Sequence, residues 1–146
     1  MSRDVSNSED ILDSRDIIAR QQELADERAE LADALDEARS VGVNSEAHEA
    51  AATALADWDN ENGAELKTLT DLCEEGSGYS PDWKYGATLI RDSYFEAYAR
   101  EFAEDIGAVK SNAEWPGRCI DWEKAAEELQ QDYTALDYDG VTYWVR

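Results

Sequence analysis

The sequence predicts an α+β protein that is mostly α, with a long N-terminal antiparallel helical hairpin and a small C-terminal domain of two helices and a β-hairpin. Two long stretches, residues 13–41 and 45–76, repeat apolar side chains at helical spacing. Beyond residue 78 aromatic residues become frequent, and the chain closes on β-forming residues around an Asp-Gly pair. The predicted organisation is a disordered N-terminus at residues 1–12, a helical hairpin at 13–78 and an α+β domain at 79–146.

The first helix is predicted over residues 13–41, which contain neither glycine nor proline. Asp13 or Ser14 can cap its start, and Gly42 stands where a helix would end. The apolar positions recur every seven residues and form one narrow stripe: Ile17, Leu24, Leu31 and Ala38.

The second helix is predicted from Ser45, as its cap, to Gly76. Gly63 lowers helix stability by about 1 kcal/mol relative to alanine and is interpreted as a candidate break. Two helices of this length form an antiparallel hairpin about 45 Å long at about 1.5 Å per residue. The stripe of this helix steps by three or four residues: Ala51, Leu55, Trp58, Asn62, Leu66, Leu69 and Cys73.

The C-terminal domain is predicted to contain two short helices before its β-hairpin. Residues 92–106 form the first, with Asp92 as its cap and a face of Phe95, Tyr98, Ala99 and Phe102. Residues 122–131 form the second, capped by Asp121, with Ala125, Ala126 and Leu129 facing inward. Asp139-Gly140 then turns the chain into a two-stranded ribbon.

The charge of the chain restricts its partners. Its 35 acidic and 13 basic residues give a net charge of −22, which argues against direct binding of nucleic acid or of an anionic membrane and favours a basic protein partner. No apolar run approaches the roughly 18–20 residues of a membrane span, and the N-terminus lacks a signal-peptide core, so we expect a cytoplasmic protein. In that compartment Cys73 and Cys119 are predicted to be buried thiols.

Catalytic and metal-binding patterns are weak, and we expect neither an enzyme nor a cofactor or metal. His48 is the only histidine and is predicted to lie on the surface of a polar helix. A glycosidase-like pair among the acids of residues 121–128 would need one carboxyl group held in a dry cleft. The acidic stretches 57–63 and 137–140 lack the spacing of a calcium loop and are interpreted as a helix surface and a hairpin turn.

Acidic residues are distributed along the whole chain. Nine carboxylates lie between Asp13 and Glu37, about one per 4 Å of helix axis, whereas a DNA strand carries one phosphate per roughly 3.4 Å. Residues 44–76 add nine more acids against Lys67 alone. This density is typical of a protein that imitates nucleic acid; a surface that only keeps a small protein in solution is the alternative.

Residues 92–146 resemble the C-terminal subdomain of the ArdA-type antirestriction proteins. The succession DSYFEAYAREFAEDIGAV, a short turn and CIDWEKAAEELQQDYTALDYDGVTYWV matches the family's pattern in order and spacing. The resemblance implies an elongated acidic dimer that mimics B-form DNA and occupies the DNA groove of type I restriction-modification enzymes. Residues 1–78 depart from the family's mixed N-terminal region. The matching positions are Tyr94, Ile106, Gly107, Ala108, Ile120, Asp121, Trp122, Glu123, Ala126, Glu128, Leu129 and Gly140.

The sequence and the resemblance together predict an inhibitor, from a phage or a mobile element, of a host DNA-binding defence enzyme such as a restriction-modification or CRISPR complex. The alternative is a coiled-coil adaptor that binds a partner through its apolar helix stripes. Ten acids are predicted to contact the partner: Asp26, Glu30, Asp33, Glu37, Glu96, Glu104, Asp105, Glu123, Glu127 and Glu128.

Overall fold

The computed structural model of the chain describes residues 5–43, 45–109, 115 and 117–146. Its class is α+β and mostly α, as predicted, with two long helices and one small antiparallel sheet. Short 3-10 turns precede α4 and α5. The helices α1 to α5 are Ser14–Val41, Glu46–Tyr79, Trp83–Gly86, Phe95–Asp105 and Trp122–Gln130, and the strands β1 to β4 are Ile11–Asp13, Thr88–Arg91, Thr134–Tyr138 and Val141–Val145.

The predicted helical hairpin is confirmed, and its two helices begin where their caps predict. The Asp13 carboxylate accepts the backbone N–H of Arg15 at 2.9 Å, and the Ser45 hydroxyl accepts that of His48 at 3.1 Å. Each bond satisfies one of the N–H groups that the first turn of a helix leaves unpaired. Local side-chain chemistry therefore sets both helix starts.

Helix α2 is longer and more continuous than predicted. It runs through Gly63 without a break and passes Gly76 to end at Tyr79. A glycine costs a helix only about 1 kcal/mol, and the packing of α2 against α1 and the sheet outweighs that cost. The interpretation of Gly63 as a break was therefore wrong.

The C-terminal hairpin forms as predicted, but it belongs to a larger sheet. Asp139 and Gly140 have φ angles of 49° and 85°, both in the left-handed region that a tight two-residue turn between strands requires. All neighbouring strands are antiparallel, in the order β1-β2-β4-β3. The isolated ribbon was wrong because β1 and β2 have only three and four residues, too few to show alternation in the sequence.

The N-terminal segment is part of the fold. The Tyr143 hydroxyl donates to the carbonyl of Glu9 at 2.5 Å, and Val5 packs against the hydrophobic core. The prediction of disorder over residues 1–12 is therefore wrong for residues 5–12, whereas the first four residues lie outside the described part of the chain.

The molecule has three layers, because the sheet buries both of its faces. Leu89, Leu136 and Tyr143 point to one face and join the cluster formed by α1 and α2. Ile90 and Trp144 point to the opposite face and join the cluster formed by α4 and α5. Successive residues of a strand alternate between faces, which explains why neighbours in β2 and β4 belong to different clusters.

The hairpin and the sheet share one hydrophobic core. Leu24 and Leu69 of the hairpin are 1% and 0% exposed, and they belong to the same buried cluster as the sheet residues Leu89 and Leu136. The boundary predicted between residues 78 and 79 therefore does not separate two cores.

The two short helices start differently from each other. Asp121 caps α5 as predicted, with its carboxylate 3.1 Å from the backbone nitrogen of Lys124. Asp92, the predicted cap of the helix over residues 92–106, instead opens a 3-10 turn, and its carboxylate accepts the indole N–H of Trp144 at 2.9 Å. A tertiary contact has replaced the local capping bond.

Trp83 of α3 closes the core beside the end of α2. A Cβ atom placed on Gly76 would lie 2.3 Å from the Trp83 ring, so only a glycine allows this approach. The buried hydroxyl of Ser14 donates to the Trp83 carbonyl at 2.5 Å and accepts the N–H of Ala87 at 2.7 Å. The start of α1 is thereby fixed to the α3–β2 connection.

The two cysteines have different environments, and neither forms a disulfide. Cys73 is half-buried on α2, and burial raises the pKa of its thiol. Cys119 is exposed at the end of a 3-10 turn, so the prediction that both thiols are buried is wrong for Cys119.

Candidate functional site

The acids predicted on α1 form one exposed stripe. Asp26, Glu30, Asp33 and Glu37 are all exposed and follow one another at intervals of four, three and four residues. At about 100° per residue this spacing keeps them within an arc of about 60°, over about 16 Å of helix axis. We call these four residues the α1 acidic stripe.

Two arginines of α1 form ion pairs across the hairpin. Arg20 and Arg28 reach across from α1 to Glu65 and Asp59 of α2, at 3.0 and 2.9 Å. The hydrogen bonds to these carboxylates raise the pKa of both arginines. Within the described residues, no ion pair involves a member of the α1 acidic stripe, so its carboxylates are not engaged by basic side chains of this part of the chain.

Helix α2 contributes exposed acids that the predicted set left out. Six of them are exposed and form no ion pair with any residue that the structure describes. The presence of nine acids and only one basic residue, Lys67, in segment 44–76 was the signal that could have found them. They are Glu46, Glu49, Asp57, Glu61, Glu74 and Glu75.

The acids predicted on α4 and α5 are exposed with one exception. The Glu104 side chain is only 25% exposed, and its carboxylate lies 3.6 Å from the Arg100 guanidinium. Glu104 is therefore a weaker contact candidate than the rest. The exposed acids, which we call the α4/α5 acidic face, are Glu96, Asp105, Glu123, Glu127 and Glu128.

The structure divides the ten predicted acids between two layers. The α1 acidic stripe lies in the layer of α1 and α2, and the α4/α5 acidic face and Glu104 lie in the layer on the opposite side of the sheet. A partner that contacts both sets must therefore reach around the sheet from one outer layer to the other. The sequence could not predict this separation, because it depends on how the layers stack.

Comparison with family models, curated proteins and solved structures finds no match to this chain. The ArdA-type resemblance therefore depends on the residues of segment 92–146 alone and stays a prediction.

The acids considered for a glycosidase-like pair do not lie in a dry cleft. Asp121, Glu123, Glu127 and Glu128 are all exposed, and no carboxylate in the described part of the chain is buried. The dry cleft that such a pair would need is therefore not formed by these four residues.

No group of three or more histidine, cysteine or acidic side chains among the described residues could hold a metal ion. The acidic stretch 57–63 lies on α2, and 137–140 forms the end of β3 and its turn, as predicted. His48 lies half-buried in the first turn of α2 and not fully on the surface as expected. Of the helices the structure describes, none combines the length and the apolar character needed to cross a bilayer.

The apolar stripes of the hairpin are largely covered within the molecule. Ile17 and Leu69 are both 0% exposed, and Leu31 and Leu55 farther along the hairpin are half-buried. The stripes therefore pack against each other and against the sheet. This leaves little apolar surface for the partner helix that the adaptor alternative requires.

A cavity of about 560 Å³ opens between β2 and α4. Its walls include Ile90, Tyr98, Phe102, Tyr133 and Arg146. The hydroxyls of Tyr98 and Tyr133 are 3.2 Å apart. Burial, and then this hydrogen bond, raise the pKa of Tyr98 to about 12.

Alkaline pH is expected to destabilise the protein through its tyrosines. The pKa of tyrosine in the unfolded chain is about 10, whereas burial raises the pKa of Tyr98 and of Tyr138 to about 12 in the folded state. Their contribution is therefore complete below about pH 10 and is lost as the pH rises towards about 12. Urea denaturation followed by tryptophan fluorescence across this range measures the slope. Tyr98→Phe should reduce it and Tyr79→Phe, at an exposed tyrosine, should not; an unchanged slope in Tyr98→Phe would contradict the assignment.

Proposed function

We propose that the protein is a phage or mobile-element inhibitor of a host DNA-binding defence enzyme, and that it acts in the bacterial cytoplasm as an acidic mimic of DNA. The observation that carries the proposal is the hairpin surface, where the α1 acidic stripe and six exposed acids of α2 form no ion pair within the described residues. Clefts that bind DNA draw much of their affinity from phosphate contacts, which carboxylates on a rigid helix can replace.

The shape of the hairpin supports the proposal. Its two helices lie side by side, each about 10–12 Å across with its side chains, so the pair is about 20 Å wide. Cross-hairpin contacts hold the two helices in register, including the ion pair of Arg28 with Asp59 and the 3.2 Å hydrogen bond from the Trp58 indole to Glu27. Rigid positioning allows the carboxylates to bind without first being ordered, which lowers the entropic cost of association.

The adaptor alternative is less well supported, because the apolar stripes are largely used inside the molecule. The two functions differ in their response to salt. Binding through carboxylates weakens steeply as ionic strength rises, whereas apolar docking barely responds.

Competition for DNA tests the proposal. The protein is added to a type I restriction enzyme, and separately to a CRISPR surveillance complex, and the DNA that each retains is measured. We expect displacement from at least one of them, with an inhibition constant that weakens about tenfold or more between about 50 and 200 mM salt. Displacement that does not respond to salt would contradict charge mimicry, and no displacement from either would reject these targets in favour of the adaptor.

A homodimer is also proposed, since the resemblance implies one. Light scattering coupled to size-exclusion chromatography measures the mass in solution; a mass near 16.4 kDa would show a monomer and one near twice that value a dimer. Because repulsion between two acidic chains is screened by salt, the dimer should be favoured at higher ionic strength.

A further inference from the structure

A groove runs along the contact between α4 and α5 on the α4/α5 acidic face. It has a volume of about 330 Å³ and is lined by Ser93, Glu96, Ala97, Arg100 and Trp122. Trp122 is the first residue of α5, directly after the capping residue Asp121. The cap therefore fixes the start of α5 and, with it, the indole that forms one wall of the groove.

The groove already holds a guanidinium group of this chain. The Arg100 guanidinium carbon lies 5.9 Å from the centroid of the Trp122 ring, within the range of a cation–π contact. Its Nε lies 3.6 Å from the Glu104 carboxylate, and the side chain is 51% exposed. The contact shows that a guanidinium group can lie against the Trp122 ring. Because about half of the Arg100 side chain is exposed, surrounding residues do not enclose it there.

One carboxylate in the groove has no ion-pair partner in the described part of the chain. Glu96, Arg100 and Glu104 follow one another at intervals of four residues and lie on one side of α4. Arg100 pairs with Glu104, so the exposed Glu96 carboxylate remains available. An aromatic ring and a free carboxylate within one groove are complementary to a second planar cation.

We propose that this groove binds an arginine side chain of the basic partner, with its guanidinium on the Trp122 ring and paired with Glu96. Arg100 then moves off the ring and keeps its ion pair with Glu104. This inference depends on the proposed function, because it assigns the partner's chemistry at the α4/α5 acidic face. Arginine is favoured over lysine, since its planar, weakly hydrated guanidinium stacks on aromatic rings and can form two parallel hydrogen bonds with a carboxylate.

Peptides of equal charge test the groove without the natural partner. Octaarginine and octalysine are titrated into the full-length protein by calorimetry at low and at physiological salt. A purely electrostatic surface binds the two equally, whereas the groove should favour octaarginine by about two- to fivefold, the range of an exposed cation–π contact.

Two pairs of variants assign any preference to the groove. Trp122→Leu should abolish the arginine preference, and Trp115→Leu, at a tryptophan that is 74% exposed, should keep it. Glu96→Gln should reduce the preference, whereas Glu61→Gln on α2 makes the same charge change and should weaken both peptides equally. Because Glu96 is exposed, this second pair remains decisive if circular dichroism shows that Trp122→Leu is unfolded.

The outcomes separate the groove from the proposed function. Equal, salt-sensitive binding of both peptides, or a preference that survives Glu96→Gln and a folded Trp122→Leu, would overturn the groove and leave charge mimicry intact. If neither peptide binds even at low salt, both the groove and the proposed charge mimicry are overturned. An arginine preference lost only in the Trp122 and Glu96 variants would support the groove, whatever the result of the DNA competition.

Discussion

Replacing Asp26, Glu30, Asp33 and Glu37 together by lysine is expected to weaken inhibition of a DNA-binding enzyme about a hundredfold at low salt. The four reversals change the charge of the α1 acidic stripe by eight units. Four lost attractions and four new repulsions, at about 0.2–1 kcal/mol each, sum to about 1.6–8 kcal/mol, a range that includes the roughly 2.7 kcal/mol of a hundredfold change. The inhibition constant in the DNA competition assay is the measurement.

The matched control reverses four acids of the opposite layer that do not line the groove beside Trp122: Asp105, Glu123, Glu127 and Glu128. Both variants have the same net charge, so a difference between them reports which layer contacts the partner. Because exposed charges contribute separately, single reversals should weaken inhibition gradually. Equal losses in the two fourfold variants would show that only net charge matters, and complete loss from one single reversal would indicate a hot spot instead of a distributed surface.

Gly76→Ala is expected to destabilise the protein by about 1–3 kcal/mol, although alanine is the better helix former. The added methyl group would lie 2.3, 2.5 and 2.6 Å from three atoms of the Trp83 indole, far inside van der Waals contact. The indole is rigid and buried at 4% exposure, so relief requires α3 or the end of α2 to move. Urea denaturation measures the change in the free energy of unfolding.

Gly63→Ala provides the control, because the two glycines lie in the same helix with different surroundings. The nearest atom to a Cβ on Gly63 is the Cβ of Asp59 at 3.8 Å, an ordinary contact. This substitution should therefore stabilise the protein by about 0.5–1 kcal/mol. Opposite signs for the two substitutions would confirm the approach of Trp83 to Gly76, and stabilisation by both would contradict it.

The elements that the sequence predicted best depend on neighbouring residues. The caps at Asp13, Ser45 and Asp121 and the turn at Asp139-Gly140 each satisfy backbone groups within three residues along the chain. The stripes were predictable for the same reason, since helical spacing alone determines which side chains share a face.

The elements that the sequence missed depend on distant residues. β1 pairs with β2 across more than seventy positions, in the register Leu12↔Leu89, and neither strand is long enough to show a pattern of its own. The segment before β1 is likewise held by contacts with the far end of the chain, such as the Tyr143 hydroxyl bond to Glu9. The neighbouring sequence of Asp92 is typical of a helix cap, but in the structure its carboxylate accepts a hydrogen bond from the Trp144 indole.

The candidate site shows the same division. The sequence predicted acids of α1 and α5 as partner contacts, and the structure leaves all of these acids exposed. Their separation into two layers, the half-covered position of Glu104 and the groove beside Trp122 depend on how α4 and α5 pack on the sheet. The sequence also shows the acids of α2, and the predicted set of partner contacts was wrong to leave them out.

The sequence by itself determined the sign and density of the surface charge, the helices that carry it and the caps and turn that delimit them, because these follow from composition and from bonds between near neighbours. Only the tertiary structure decided which acids share a layer and which arginines form ion pairs across the hairpin. It also decided that the N-terminal segment adds a strand to the sheet. The physical reason is that burial and pairing depend on contacts between residues far apart in the chain, whose positions no local pattern specifies.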